Sequence, residues 1–198
     1  MEVSSFRYCG ELTREELISA HDKAIANASH LLAEAKVLFE NDRYSRSYYL
    51  LCICNEELGK SLLILSSIAD LIDEKIDWKK FWRIYRNHKV KRGILESMEA
   101  ILAVAFGESA SFNSIRDNLK AFEEFKMASL YSDIQSGVFA EPNELIKKDI
   151  AELMLSLSTK RFTFITSIPI TNNMLETLSK EDIRKSRIAR ATRSKPLK

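Results

Sequence analysis

Between Trp78 and Leu95 the chain carries Lys79, Lys80, Arg83, Arg86, Lys89, Lys91 and Arg92 around a single His88, with no acidic residue among them. Fixed cations hold a polyanion, and an imidazole can move a proton near neutral pH, so the run has the composition of a phosphodiester site. The plainer alternative is a solvated cationic face on an aromatic helix, with a structural histidine at its end. Residue types alone leave both open.

A second constellation lies upstream, where Asn55-Glu56-Glu57-Leu58-Gly59-Lys60-Ser61 interrupts the most apolar stretch of the sequence. On one reading Glu56 pairs with Lys60 across a helical turn on a wet edge, contributing about 0.3–0.5 kcal/mol. On the other, charges flanked by apolar residues on every side are paired in a cleft or beside a site. Gly59-Lys60-Ser61 imitates the end of a phosphate-binding loop, but that loop needs a glycine where Cys54 stands, so no nucleotide is expected there. Cys52 and Cys54 are two apart on a helix, about 200° around its axis, and cannot chelate one metal together. They read as buried thiols, whereas Cys9 stands alone. His21 and His30 fall on opposite sides of one helix, so neither a metal site nor a cofactor is expected.

These residues need elements to position them, and the elements read as helices. Only five Gly and three Pro punctuate 198 residues, too few for a fold of many tight turns. The expectation is an all-α bundle of about six to seven helices without a sheet, with residues 1–170 as the domain and 171–198 as a terminal helix and basic tail. Thr13-Arg14-Glu15-Glu16 is a capping box that opens a helix ending near Asn41. A second, from about Asp42 to Ile72, is apolar nearly all round at Tyr48–Cys54 and Leu62–Leu65 and belongs at the centre. Asp77 caps a third, with Trp78, Phe81, Trp82 and Tyr85 on one face. Its stripe then slips: the same face continues to His88, Lys89 and Arg92, while the next apolar set is Ile94, Leu95, Met98, Ile101, Leu102 and Ala105. The helix should therefore break near Asn87-His88. In an unbroken helix Arg83 and His88 point about 140° apart, so they meet at one phosphate only through such a break or across two chains.

Further on, Gly107–Asn113 reads as a loop and 114–131 as a helix with Ile115, Leu119, Phe122, Phe125 and Leu130 inward. Residues 132–141 read as a second loop, and Pro142 as the first turn of a helix reaching about Ile168. Residues 180–198 hold eight Lys/Arg against Glu181 and Asp182, a net of +6, which leaves −4 elsewhere in a chain of +2. The longest apolar run, Leu62–Ile72, is short and carries Ser66, Ser67 and Asp70, so a soluble, cytoplasmic protein without a membrane span is expected.

Three segments together resemble the AbiV abortive-infection family of the HEPN superfamily: Asn55–Ser61; Phe81-Trp82-Arg83 leading to Asn87-His88-Lys89; and Lys126-Met127-Ala128-Ser129-Leu130-Tyr131-Ser132-Asp133. The resemblance runs to about residue 170. It implies a phage-defence toxin that blocks translation by metal-independent RNA cleavage, with His88 assisting a ribose 2′-hydroxyl and Arg83 stabilising the phosphorane. It implies a cleft lined by Arg86, Asn87 and Lys89, oriented or tuned by Glu57 and Lys60, with Lys126, Tyr131 and Asp133 as further contacts. It also implies a symmetric homodimer and an activity held off until infection, through a phage-encoded protein activator. Ile84 departs from the pattern, since such motifs often place a polar residue after the Arg. The rival reading is a non-catalytic helical module that binds a protein or RNA and blocks translation by occlusion.

Overall fold

The computed structural model describes residues 8–72, 76–105, 122, 124–135 and 138–167. Helix α1 spans Arg14–Glu40, and its capping box forms: Thr13 N–H donates to Glu16 Oε2 at 2.8 Å and Glu16 N–H to Thr13 Oγ1 at 3.2 Å. Leu17, His21, Ala24, Ala28, Leu32 and Ala35 are its buried stripe. Asp42 closes the helix at φ 57°, the left-handed conformation that Asp tolerates better than most residues. Arg43 N–H donates to Leu38 O and Asp42 N–H to Phe39 O, so the last carbonyls are satisfied and the chain reverses at once.

Helix α2, Tyr44–Ile72, returns antiparallel to α1. The pairings Ser47 to Ala35, Cys54 to Ala28 and His21 to Ser61 descend one helix as they climb the other. As its composition predicts, α2 is the central element. Its first half enters the larger core with Leu32, Leu51, Leu58, Leu95 and Met154, and its second half packs Ile64 and Ile68 against Leu17 and Phe81.

Helix α3, Trp78–Tyr85, is capped by Asp77, which accepts from Lys80 N–H at 2.9 Å. Its aromatic ladder closes the smaller core. The expected break follows, and helix α4 begins at His88 and runs to Ala105. It packs closely on α2, because a Cβ on Gly59 would stand 2.0 Å from the Lys91 carbonyl oxygen. Only glycine allows that approach.

Downstream the expectations need correcting. Residues 132–141 are not simply a loop: β1, Asp133–Gln135, pairs antiparallel with β2, Val138–Ala140, in the register Ile134 opposite Phe139. The signal is Ser136-Gly137 between short β-prone pairs. The all-α class stands, with this hairpin as the extended structure among the described residues. Pro142 opens only a single turn, α5, Pro142–Leu145. Ile146 then turns extended at φ −101°, ψ 96° and enters the larger core fully buried, and helix α6 runs over Lys148–Ser167. Phe125, expected inward, is partly exposed and meets Tyr48 edge-on at 6.4 Å. The loop at 107–113, the start of the helix at 114, and the terminal helix and basic tail lie outside the described residues.

Candidate nucleic-acid site at a helix break

The break is built from two local hydrogen-bonding choices. Arg86 closes α3, and Asn87 N–H donates to Ile84 O at 2.9 Å. Asn87 then acts as the cap of α4: its side-chain Oδ1 accepts from Val90 N–H at 3.2 Å, and its carbonyl accepts from Lys91 N–H. His88 thus becomes the first residue of a new helix, rotated out of the phase of α3. This brings Arg83, Arg86, Asn87, His88, Lys89 and Lys126 around one open cleft of about 630 Å³.

Beneath the cleft sits Glu56, with a carboxylate only 3% exposed, while His88 above it is 65% exposed. Glu56 Oε2 lies 2.5 Å from His88 Nδ1, and Glu56 Oε1 takes an ion pair from Lys126 Nζ. Burial alone would push the Glu56 carboxyl up, but the hydrogen bonds and charges of Lys126 and His88 outweigh it and hold the group below the usual carboxylate range. With Nδ1 committed to Glu56, Nε2 is the imidazole nitrogen left for the cleft.

Of the two readings of these charges, the pairing of Glu56 to Lys60 across a turn does not form: Lys60 pairs with Glu57, its ammonium 5.7 Å from the Tyr85 ring centre, and Glu56 is paired beneath the cleft, a position the candidate site residues did not include. The signal was the Glu56-Glu57 doublet, whose two members point to different neighbours, about 100° apart on the helix. Glu57 and Lys60 are therefore beside α3 and outside the cleft lining. Tyr131 is exposed and also outside it, and Asp133 is placed by its backbone alone, as the first residue of β1.

The cations divide as well. Arg83 and Lys89 are exposed in the cleft, but Arg86 is already engaged, donating to the Tyr8 carbonyl at 2.5 Å and stacking over Trp82 at 5.2 Å. Lys91 and Arg92, counted in the sequence with the cleft cations, turn inward and are buried. Burial pulls the Lys91 ammonium down, with Lys60 adding to the effect and Glu56 and Glu57 opposing it. The Arg92 guanidinium carbon lies over the Phe122 ring, 4.0 Å from its centre, with Glu96 3.9 Å away. Helical phase explains the inward turn: once α4 restarts at His88, positions 91, 92 and 95 face α2. No group of His, Cys, Asp and Glu suited to a metal occurs among the described residues, and no helix among them is long and apolar enough to cross a membrane.

A model of the AbiV family, of HEPN type, matches residues 16–163. Searches of curated proteins and of solved structures gave no match. The matched span contains the whole of the cleft and the carboxylate beneath it, and the chain belongs to the AbiV family of HEPN proteins.

Proposed function

We propose that this AbiV protein is a metal-independent endoribonuclease whose cleavage of RNA blocks translation during phage infection. The observation that carries the reading is the Glu56–His88 pair, a buried carboxylate fixing an exposed imidazole at the edge of a cationic cleft. In the reaction Nε2 takes the proton of a ribose 2′-hydroxyl as its oxygen bonds to the adjacent phosphorus. Arg83 offsets the charge that builds on the phosphorane, with Lys89 holding the strand. The bond from phosphorus to the 5′-oxygen then breaks, that oxygen takes a proton from solvent, and a 2′,3′-cyclic phosphate remains. Glu56 is a positioning residue, acting through His88.

Two chains would place their clefts side by side as a symmetric homodimer, where RNA offsets the repulsion between the two sets of cations. A phage-encoded protein would then act as trigger. The non-catalytic module draws on a different observation: Arg83 makes no hydrogen bond or ion pair among the described residues, so none of these fixes it for catalysis.

Purified protein incubated with total RNA in chelator, beside Arg83→Ala and His88→Ala, tests the reading. Cleavage ending in cyclic phosphate and lost in both folded variants is expected. Full activity in His88→Ala rejects it, and salt-sensitive RNA binding without cleavage in the parent, with activator supplied, favours the module. Sedimentation at micromolar concentration should find a dimer.

A further inference from the structure

A second cavity, of about 320 Å³, lies at the start of α2. Arg43 and Arg46 line it with Leu130, Ser132 and Glu141, two cations against one carboxylate. Both arginines are exposed, and no ion pair among the described residues engages either guanidinium. Ser45 donates to Asn143 Oδ1 at 2.6 Å and ties the start of α2 to α5 at this cavity. Nothing in the cleft chemistry uses this site.

One stretch of chain joins it to the cleft. Lys126 lines the first cavity, Leu130 and Ser132 the second, and Met127 and Tyr131 lie between. Tyr131 N–H donates to Met127 O at 3.1 Å, which stacks the two residues one turn apart. They are 54% and 56% exposed. Exposed apolar and aromatic side chains on the stretch of chain that joins two cationic cavities offer unpaired bases a surface to stack upon, whereas a duplex keeps its base faces inside. Measured along α2, Arg46 is ten residues from Glu56, about 15 Å, a span of a few nucleotides.

We propose that residues 126–132 form the track of a single-stranded RNA, its bases stacking on Met127 and Tyr131 while Arg43 and Arg46 hold a phosphate a few nucleotides from the Arg83/His88 cleft. The inference rests on the RNA reading of that cleft and adds strandedness and a minimum length to it. Charge complementarity selects the occupant, since two cationic cavities flank an apolar step.

Binding of 2′-O-methyl oligonucleotides, which lack the attacking hydroxyl, tests it without cleavage. The parent should bind a single strand of about twelve nucleotides more tightly than one of about four, and more tightly than a duplex of the longer length. Tyr131→Ala, and Arg43→Ala combined with Arg46→Ala, should each weaken the longer strand about tenfold, leave the shorter one as it was, and melt like the parent. Tyr131→Phe should restore tight binding. Variants that bind the longer strand like the parent overturn the track, even if the protein cleaves RNA. A parent that binds no oligonucleotide overturns the track together with the RNA reading of the cleft.

Discussion

Glu56 and Glu96 are both buried carboxylates, each held by two nitrogen-bearing side chains, and the partners differ in kind. Glu56 is held by His88 and Lys126, an imidazole and an amine on separate segments, both at the edge of a cleft. Glu96 accepts from Arg161 at 2.9 Å and faces Arg92 at 3.9 Å, two permanently charged guanidinia inside the α2–α4–α6 interface. A carboxylate held by partners that can change charge or move is suited to chemistry; one held by partners that can do neither is a staple.

Removing the staple should have the largest effect. Glu96→Ala strands two buried guanidinia and should cost about 3–5 kcal/mol, enough to threaten folding, as read by urea or thermal melts. A loss under about 1 kcal/mol would erase the contrast between the two carboxylates. Next comes Gly59→Ala, which drives a methyl into the Lys91 carbonyl and forces α4 away from α2. We expect about 1–3 kcal/mol of destabilisation together with loss of RNA cleavage, because His88 rides on the displaced helix.

Glu56→Gln sharpens the comparison from the other side. It keeps the shape and removes the charge, so cleavage should fall by at least about tenfold while the protein stays folded. The sign of its pH dependence follows from the lowered folded value: the Glu56 contribution is complete above the unfolded carboxyl pKa of about 4.3 and is lost as pH falls through the folded one. Melts below pH of about 4 should therefore show a shallower acid loss in Glu56→Gln than in the parent. The smallest effect on cleavage belongs to the Glu57–Lys60 pair, one turn long and mostly buried, its side chains 12% and 17% exposed. Lys60→Ala leaves the Glu57 carboxylate without its ammonium and should cost about 1–2 kcal/mol in a melt while changing cleavage little.

How far the sequence reached depended on how local the cause was. The Thr13 capping box, the burial of α2, the Asp77 cap and the phase slip at Asn87-His88 are written in neighbouring residues, and all are present in the fold. The choice of Glu56 over Glu57 as partner of His88 is not, since it depends on where α4 restarts and on Lys126 arriving from seventy residues away. Likewise a cation in a basic run declares its charge but not its direction, and Lys91 and Arg92 turned inward only because the break reset the helical phase. The early end of α5 came from the core, which takes Ile146 at the expense of one continuous helix.

Cys52 and Cys54, buried on α2 with Cys54 Sγ against the Ala28 carbonyl, also shape how the protein meets thiol reagents. Burial pushes their thiols up to about 11 and about 12, so in the native state neither offers a thiolate to an alkylating or oxidising agent. Cys9 lies exposed near the start of the chain, with Arg86 donating to its Sγ at 3.2 Å. One thiol is therefore within reach of a reagent in the folded protein, and two label at the rate at which the α1–α2 hairpin opens. The chain thus carries its own clock for the loosening of its central helix, readable by mass without any added probe.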